Sequence, residues 1–236
     1  MSKKWILVVD SGNGGAWTLS KIRNLLPNEN YLFFMDKIHA PYGNKSKKFL
    51  MKITENSLKK IFRTFDIKMI VLACNTLSSI CYDDLKSKFF DTPIIRIKPI
   101  LDVKYFQNQP TLVLATKCTV RHNQEIKKYK NFDNIYVKGF GTLAKKIDEN
   151  IKTPDTLQGF LLKKLKRYKR KNIKNIMLGC THYNYIKNQI QTVFDEPINF
   201  FENSDMVANE VNNVLKFSAR KSRQKTMGEL LILKKI

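Results

Sequence analysis

The chain has 236 residues, enough to bury a large core as one domain or two small ones, with an ordinary hydrophobic share of 43% and charged share of 27%. No apolar run approaches the roughly 18 residues of a membrane span, and Met1 to Lys4 lead into a strand pattern without a signal-peptide core, which points to a cytoplasmic protein with no membrane partner. The formal net charge is +23, but lysine supplies 35 of the 43 basic residues and they are spread along the chain, so we expect a solvated surface with non-specific, salt-sensitive binding to polyanions.

In chain order, hydrophobic periodicity predicts strand 5–9, helix 15–26, strand 31–35, helix 47–65, strand 69–73, helix 76–90 and strand 94–97. The pattern then restarts: strand 111–115, helix 119–130, strand 134–138, helices 142–150 and 155–170, strand 173–178, helix 182–193 and strand 197–201. A helix over 204–219 carries Val207, Val211, Val214 and Leu215 on one face. A basic stretch, 220–225, separates it from Leu230 to Leu233, apolar enough for a docked strand or helix. Alternation of this kind argues for parallel sheets covered by helices, with right-handed crossovers bringing the strand carboxyl ends to one edge. The boundary falls between Pro99 and Pro110, where Gln107-Asn108-Gln109-Pro110 reads as a linker.

Two segments stand out, Ala73-Cys74-Asn75-Thr76 and Gly179-Cys180-Thr181-His182. Each follows an apolar strand and opens a helical pattern, so each sets a cysteine where open α/β sheets place their ligand crevices. The interval is 106 positions (74 to 180), and the same offset maps the strand ending at Asp10 onto the one ending at Thr116. Two strand ends repeating at one interval suggest two similar α/β halves, each offering a thiol to a shared cleft. Opposed thiols can remove a proton from one face of a carbon and return it on the other, which is racemase chemistry. The backbone N–H groups and helix dipoles after Cys74 and Cys180 favour an anion, and His182 is placed to accept or supply a thiol proton.

Asp10-Ser11-Gly12-Asn13-Gly14-Gly15 closes the first strand with three glycines in four residues, letting a backbone approach a ligand closely. It lacks the spacing of a dinucleotide fingerprint. Asp10 suits an α-ammonium group or a neighbouring thiol, the alternative being a helix cap. Tyr42 and Gly43 follow the second strand on the crevice side. Thr116 and Thr119 stand opposite Asp10 under the pseudo-repeat, placed for the far end of a substrate. Cys81 and Cys118 read as structural, the first as core packing. No metal-ligand spacing joins the four cysteines to the three histidines.

Asp10-Ser11-Gly12-x-Gly14-Gly15, Pro41-Tyr42-Gly43, Ala73-Cys74-Asn75-Thr76, Ala115-Thr116-x-x-Thr119 and Gly179-Cys180-Thr181-His182-Tyr183, in this order, resemble glutamate racemase of the aspartate/glutamate racemase superfamily. The resemblance covers nearly the whole chain. It implies two similar parallel-sheet α/β domains related by a pseudo-two-fold, the active site in the cleft between them, and racemisation without a cofactor. Cys74 and Cys180 become the acid/base pair, assisted by Asp10 and His182. Ser11, Tyr42, Gly43, Asn75, Thr76, Thr116, Thr119 and Thr181, with Asp10 and His182, become the substrate site. The family's returning C-terminal helix gives domains of 1–98 plus 206–236 and of 99–205. The expected activity is interconversion of L- and D-glutamate for peptidoglycan, with glutamate as partner and a homodimer left open. The alternatives are a racemase for aspartate or another amino acid, and a catalytically weakened relative kept as a regulatory, DNA-associated binding protein. Departures from the family pattern fall at Lys98, His122, Asn184 and Asn203; Asp148 stands where a glutamate near the second thiol is expected, and Trp17 sets a bulky ring beside the glycine loop. These departures bear on activity level and substrate preference.

Overall fold

A computed structural model describes residues 3–102, 106, 109–217 and 226–234. The first half alternates β1 (Lys4–Asp10), α1 (Gly15–Leu25), β2 (Asn30–Met35), α2 (Lys47–Thr64), β3 (Asp66–Leu72), α3 (Asn75–Lys88) and β4 (Ile94–Arg96). Buried on both faces by helices, β1, β2 and β3 read as near-continuous apolar runs rather than as alternations. Helix α2 starts where Ser46 accepts a hydrogen bond from the Phe49 N–H at 3.2 Å, and buries Leu50, Thr54, Leu58 and Ile61 along one stripe.

The second half runs β5 (Thr111–Thr116), α4 (Lys117–His122), α5 (Gln124–Tyr129), β6 (Ile135–Phe140), α6 (Leu143–Glu149), α7 (Gln158–Lys169), β7 (Asn175–Gly179), α8 (Lys187–Gln191) and β8 (Asn199–Phe201). Helix α9 (Ser204–Phe217) and strand β9 (Leu230–Leu233) then return to the first half. All strand pairs are parallel, in the orders β4-β3-β1-β2-β9 and β8-β7-β5-β6. Apart from β9, the two sheets have the same order, so the 106-residue offset reflects a repeated βα architecture.

The face of α9 that the sequence left unassigned covers the first sheet. Val207, Ala208, Val211 and Leu215 pack with Ile6, Val8, Leu19 and Ile22, and Thr18 bonds Ser204 at 3.0 Å. Strand β9 is the edge partner of β2, pairing Tyr31 with Leu230 through Phe34 with Leu233. Gly228 makes that approach feasible: a Cβ there would collide with the Glu29 carbonyl. The interior of the linker, the whole basic stretch 220–225 and residues 218–219 of the last expected helix lie outside the described residues.

Two expected helices are corrected. The one over 119–130 is broken at Asn123, which ends α4 and whose side-chain oxygen takes the Ile126 N–H at 3.1 Å to cap α5. The one over 182–193 is a 3₁₀ turn, Thr181–Ile186, before the short α8, with the Asn184 side chain bonded to the Thr181 carbonyl at 3.2 Å. Among the described residues no helix is long and apolar enough to cross a membrane.

Candidate active site

Register decides what meets at the sheet edges. Val9 pairs with Leu72 and Ala115 with Gly179, so β1 and β3 end together with Asp10 and Cys74, and β5 and β7 end together with Thr116 and Cys180. The two edges face each other across a narrow cavity, its void about 340 Å³ including the mouth. The first half lines it with Ser11, Tyr42, Gly43, Cys74, Asn75 and Thr76; the second does so with Thr116, Cys180, Thr181, His182 and Asp148. Both thiols therefore border one space, although they lie 106 residues apart in the chain.

The thiols have different surroundings. Cys74 begins α3, and its Sγ lies 3.8 Å from the Ser11 hydroxyl. Burial, and then the negative charge of Asp10, push its pKa well up and favour the neutral thiol over the thiolate. Cys180 Sγ lies 4.0 Å from His182 Nδ1, and His182 Nε2 lies 3.0 Å from the Asp148 carboxylate. Burial works against a charge on His182, but hydrogen bonds to Asp148 and Cys180 outweigh it and hold the imidazole well above its ordinary range. Burial likewise opposes ionisation of Asp148, and the His182 contact overcomes it to hold the carboxyl below the usual carboxylate range. The second thiol thus faces a hydrogen-bonded His182–Asp148 pair in which each partner favours the charged form of the other.

Asp10 is wholly buried and lies behind the cavity wall. Its carboxylate takes the Gly12 N–H at 2.9 Å and the Thr181 hydroxyl at 3.2 Å, and burial raises its pKa despite the nearby His182 charge. Helix α1 is capped at Gly14 without a side-chain bond, so Asp10 is no helix cap. Thr119 also stands one layer back. It forms a hydroxyl triangle with Thr116 and Thr76 at 2.8 and 3.3 Å, the third side being 3.0 Å, and that triangle joins the two halves. Tyr42 reaches the cavity while donating to buried Asp36 at 2.7 Å, a carboxylate that also bonds His39. Asn75 is 3% exposed, and neither atom of its side-chain amide has a partner. A buried, unpaired amide on a cavity wall is available to a ligand.

Four of the departures leave this wall untouched: Lys98, His122, Asn184 and Asn203 are absent from the lining. Asn203 instead donates to the Lys98 and Ile100 carbonyls. Trp17 turns its ring towards the Lys187 ammonium at 5.2 Å. Cys81 is packed in the first core, and Cys118 lies against that core with its thiol 3.8 Å from the Lys45 carbonyl.

The sequence missed how the halves are tied. Asn13 donates to Asp148 at 3.0 Å, and Tyr185 donates to the Asn13 carbonyl at 3.0 Å, across the cleft. It also missed the mouth, where Lys37 and Lys145 stand with Ser11, Pro41 and Asp148. Ser11 is expected in the substrate site and Asp148 near the second thiol, but no local pattern announces Lys37, Lys145, Tyr185 or the tie through Asn13. They acquire meaning only when loops distant in the chain come together. Among the described residues, no three His, Cys, Asp or Glu side chains converge as a metal site.

No protein-family model matches the chain. A glutamate racemase of Clostridium perfringens is 33% identical over 230 residues, spanning 94% of this chain and 86% of that protein. One from Buchnera aphidicola is 32% identical over 87% of this chain and 83% of its own length. Among solved structures, glutamate racemase from Francisella tularensis in complex with D-glutamate superposes with a TM-score of 0.80 at 26% identity, covering 98% of this chain and 89% of that one. The Escherichia coli enzyme, in complex with L-glutamate and the activator UDP-MurNAc-Ala, gives 0.81 at 25% identity, covering 97% and 89%.

Proposed function

The chain belongs to the glutamate racemase family, and we propose that it interconverts L- and D-glutamate with Cys74 and Cys180 as the two acid/base groups. The observation that carries this reading is that both cysteines end equivalent strands of the two halves and line one cavity. In each direction one sulfur, as thiolate, takes the α-proton of the bound amino acid. The other, as thiol, delivers a proton to the opposite face, so the charge on the pair is conserved. A cationic His182 is the counter-charge when Cys180 carries the negative charge. The carbanion-like state is stabilised by preorganised donors and no organic electron sink. Candidate donors are the Asn75 amide, the Ser11, Thr76, Thr116 and Thr181 hydroxyls, and backbone N–H groups opening α3 and following Cys180.

Asp10 acts from the second layer, orienting Thr181 and the glycine loop, and Thr119 acts through Thr116. Lys37 and Lys145 at the mouth favour entry of a substrate with net negative charge. We assign residues 1–98 plus 206–236 to one domain and 99–205 to the other. The packing of α9 on α1 and the pairing of β9 with β2 support this division. We place the reaction in the cytoplasm, supplying D-glutamate to peptidoglycan.

The decisive experiment is the reaction in D₂O, quenched early. With two bases, the product enantiomer carries α-deuterium while unreacted substrate carries none. Deuterium appearing equally early in recovered substrate means that one group serves both faces, and the two-thiol reading falls. Equal turnover of aspartate would move the substrate assignment.

A further inference from the structure

Strand β6 is a free edge of the second sheet, and α7 lies beside it, the rings of Tyr136 on β6 and Tyr168 on α7 meeting edge to face at 6.3 Å. Between them three hollows adjoin through shared residues Lys138, Lys164 and Arg167, forming one channel. Its length follows from its walls: six residues of strand and twelve of helix each span about 20 Å. Lys163, Lys166 and Arg170 complete the central hollow. Lys117 stands at one end, and Lys130 and Lys171 at the other.

The channel concentrates positive charge without compensating carboxylates. Among the described residues of this half, the ion pairs are Lys128–Glu125, Lys145–Glu149, Lys169–Asp195 and His182–Asp148, and none uses a channel cation. Lys138 lies half-buried in the channel, its pKa lowered by burial and then by the charges of Arg167, Lys164 and Lys117. One edge-strand lysine is explained as a guard against strand pairing; an unpaired cluster along a whole helix face is not. Several cations are also held in place: Arg167 lies 4.7 Å over the Tyr168 ring, Lys171 5.4 Å over Tyr136, and Lys164 6.0 Å over Phe160. Held side chains lose less entropy when they bind.

We propose that this channel binds single-stranded nucleic acid along its phosphodiester backbone, without reading sequence. An elongated concavity with cations on both walls suits a flexible strand of regularly spaced charges. A stiff duplex or a lipid surface rests on the rims and leaves Lys138 unmet. Base-edge recognition is not provided, because lysine dominates and no arginine fork faces a groove.

The test compares a fluorescent oligo(dT) strand with a duplex of equal length and with anionic phosphatidylserine vesicles, binding to the full chain. Replacing Lys138, Lys164 and Arg167 by Gln is set against replacing Lys48, Lys52 and Lys60 on exposed α2, which removes the same charge. The channel variant is expected to bind oligo(dT) about 30-fold or more weakly at about 0.1 M salt, its log–log salt slope shallower by about 2. The α2 variant should stay within about twofold, and both should keep wild-type racemisation. If the channel variant fails to fold, Lys163, Lys166 and Arg170, all exposed, replace it as the substituted set. Equal weakening in the channel and α2 variants would overturn the proposal, as would duplex or vesicles binding as tightly as the single strand.

Discussion

Asp148→Asn isolates the electrostatic half of the dyad. The amide is nearly isosteric, its oxygen still accepts from Asn13, and the Cys180–His182 contact is untouched. What disappears is a charge-assisted contact 3.0 Å long on an imidazole that is almost completely buried. Such a contact contributes about 1.5–3 kcal/mol, or roughly one to two pKa units at about 1.36 kcal/mol each. The sign follows from His182. Burial works to lower its pKa, and the Asp148 hydrogen bond is the largest of the influences that hold it above the ordinary range, so removing the carboxylate lets it fall. If cationic His182 is the counter-charge for Cys180, activity declines as pH rises through that pKa. The alkaline limb of kcat/KM should then move down by one to two units in the variant, while the acid side stays put. Initial rates by polarimetry or coupled D-glutamate detection from pH 6 to 10 would measure it. A uniform loss with an unmoved alkaline limb would refute the counter-charge role and leave Asp148 a packing residue.

Other substitutions separate chemistry from scaffold. Cys74→Ser and Cys180→Ser should each remove racemisation in both directions while leaving circular dichroism unchanged, since a serine hydroxyl cannot supply the base at neutral pH; turnover within about tenfold of wild type would contradict the assignment. Asn75→Ala strands no partner, because the amide has none in the protein; KM should rise about 10- to 100-fold, as for a lost hydrogen bond to a charged ligand, with Tm held or raised. Gly14→Ala sets a Cβ 2.8 Å from the His182 backbone nitrogen and against Thr181, so calorimetry should record about 1–3 kcal/mol of lost stability. The stability difference between wild type and Asp148→Asn should vary with pH. The depressed carboxylate contributes above its unfolded value of about 3.9 and loses that as pH falls through its folded value. The elevated imidazole contributes below its unfolded value of about 6.5 and loses that as pH rises through its folded one. A difference flat from pH 3 to 10 would show that the pair is not coupled to folding.

The sequence was most informative where it was periodic and local. Continuous apolar strands, and motifs fixed to their carboxyl ends, reveal both sheets, the matched interval between Cys74 and Cys180, and most of the cavity wall. Less legible was anything depending on side chains competing with the backbone. Asn123 looks like any polar residue of an amphipathic helix until its side chain is seen capping α5. The turn after Cys180 looks helical until Asn184 is seen bonded to the Thr181 carbonyl. Least legible was depth. Asp10 and Thr119 lie beside the right strand ends but one layer behind the surface, because Ser11, Thr181 and Thr116 stand in front. The family resemblance alone sets Asp148 near the second thiol; its contact with His182, 34 positions on, arises because α6 packs against the turn after β7.

The repeat is symmetric in backbone and asymmetric in its electrostatics: Cys180 faces His182 and Asp148, whereas Cys74 faces Ser11 and the Asp10 charge. Two substrates of equal free energy constrain what this asymmetry can do. L- and D-glutamate are enantiomers, so their equilibrium constant in water is one, and kcat/KM must be equal in the two directions whatever the enzyme's internal bias. The dyad can divide that common barrier between binding and turnover differently for the two enantiomers, giving unequal kcat matched by unequal KM. Asp148→Asn must therefore lower kcat/KM by the same factor in both directions, while the ratio of forward to reverse kcat changes from the wild-type value. Progress curves started from each enantiomer yield all four constants. An unchanged kcat ratio would show that the unequal surroundings of the thiols do not bias the bound states, and the differentiated roles assigned to Cys74 and Cys180 would have to be given up.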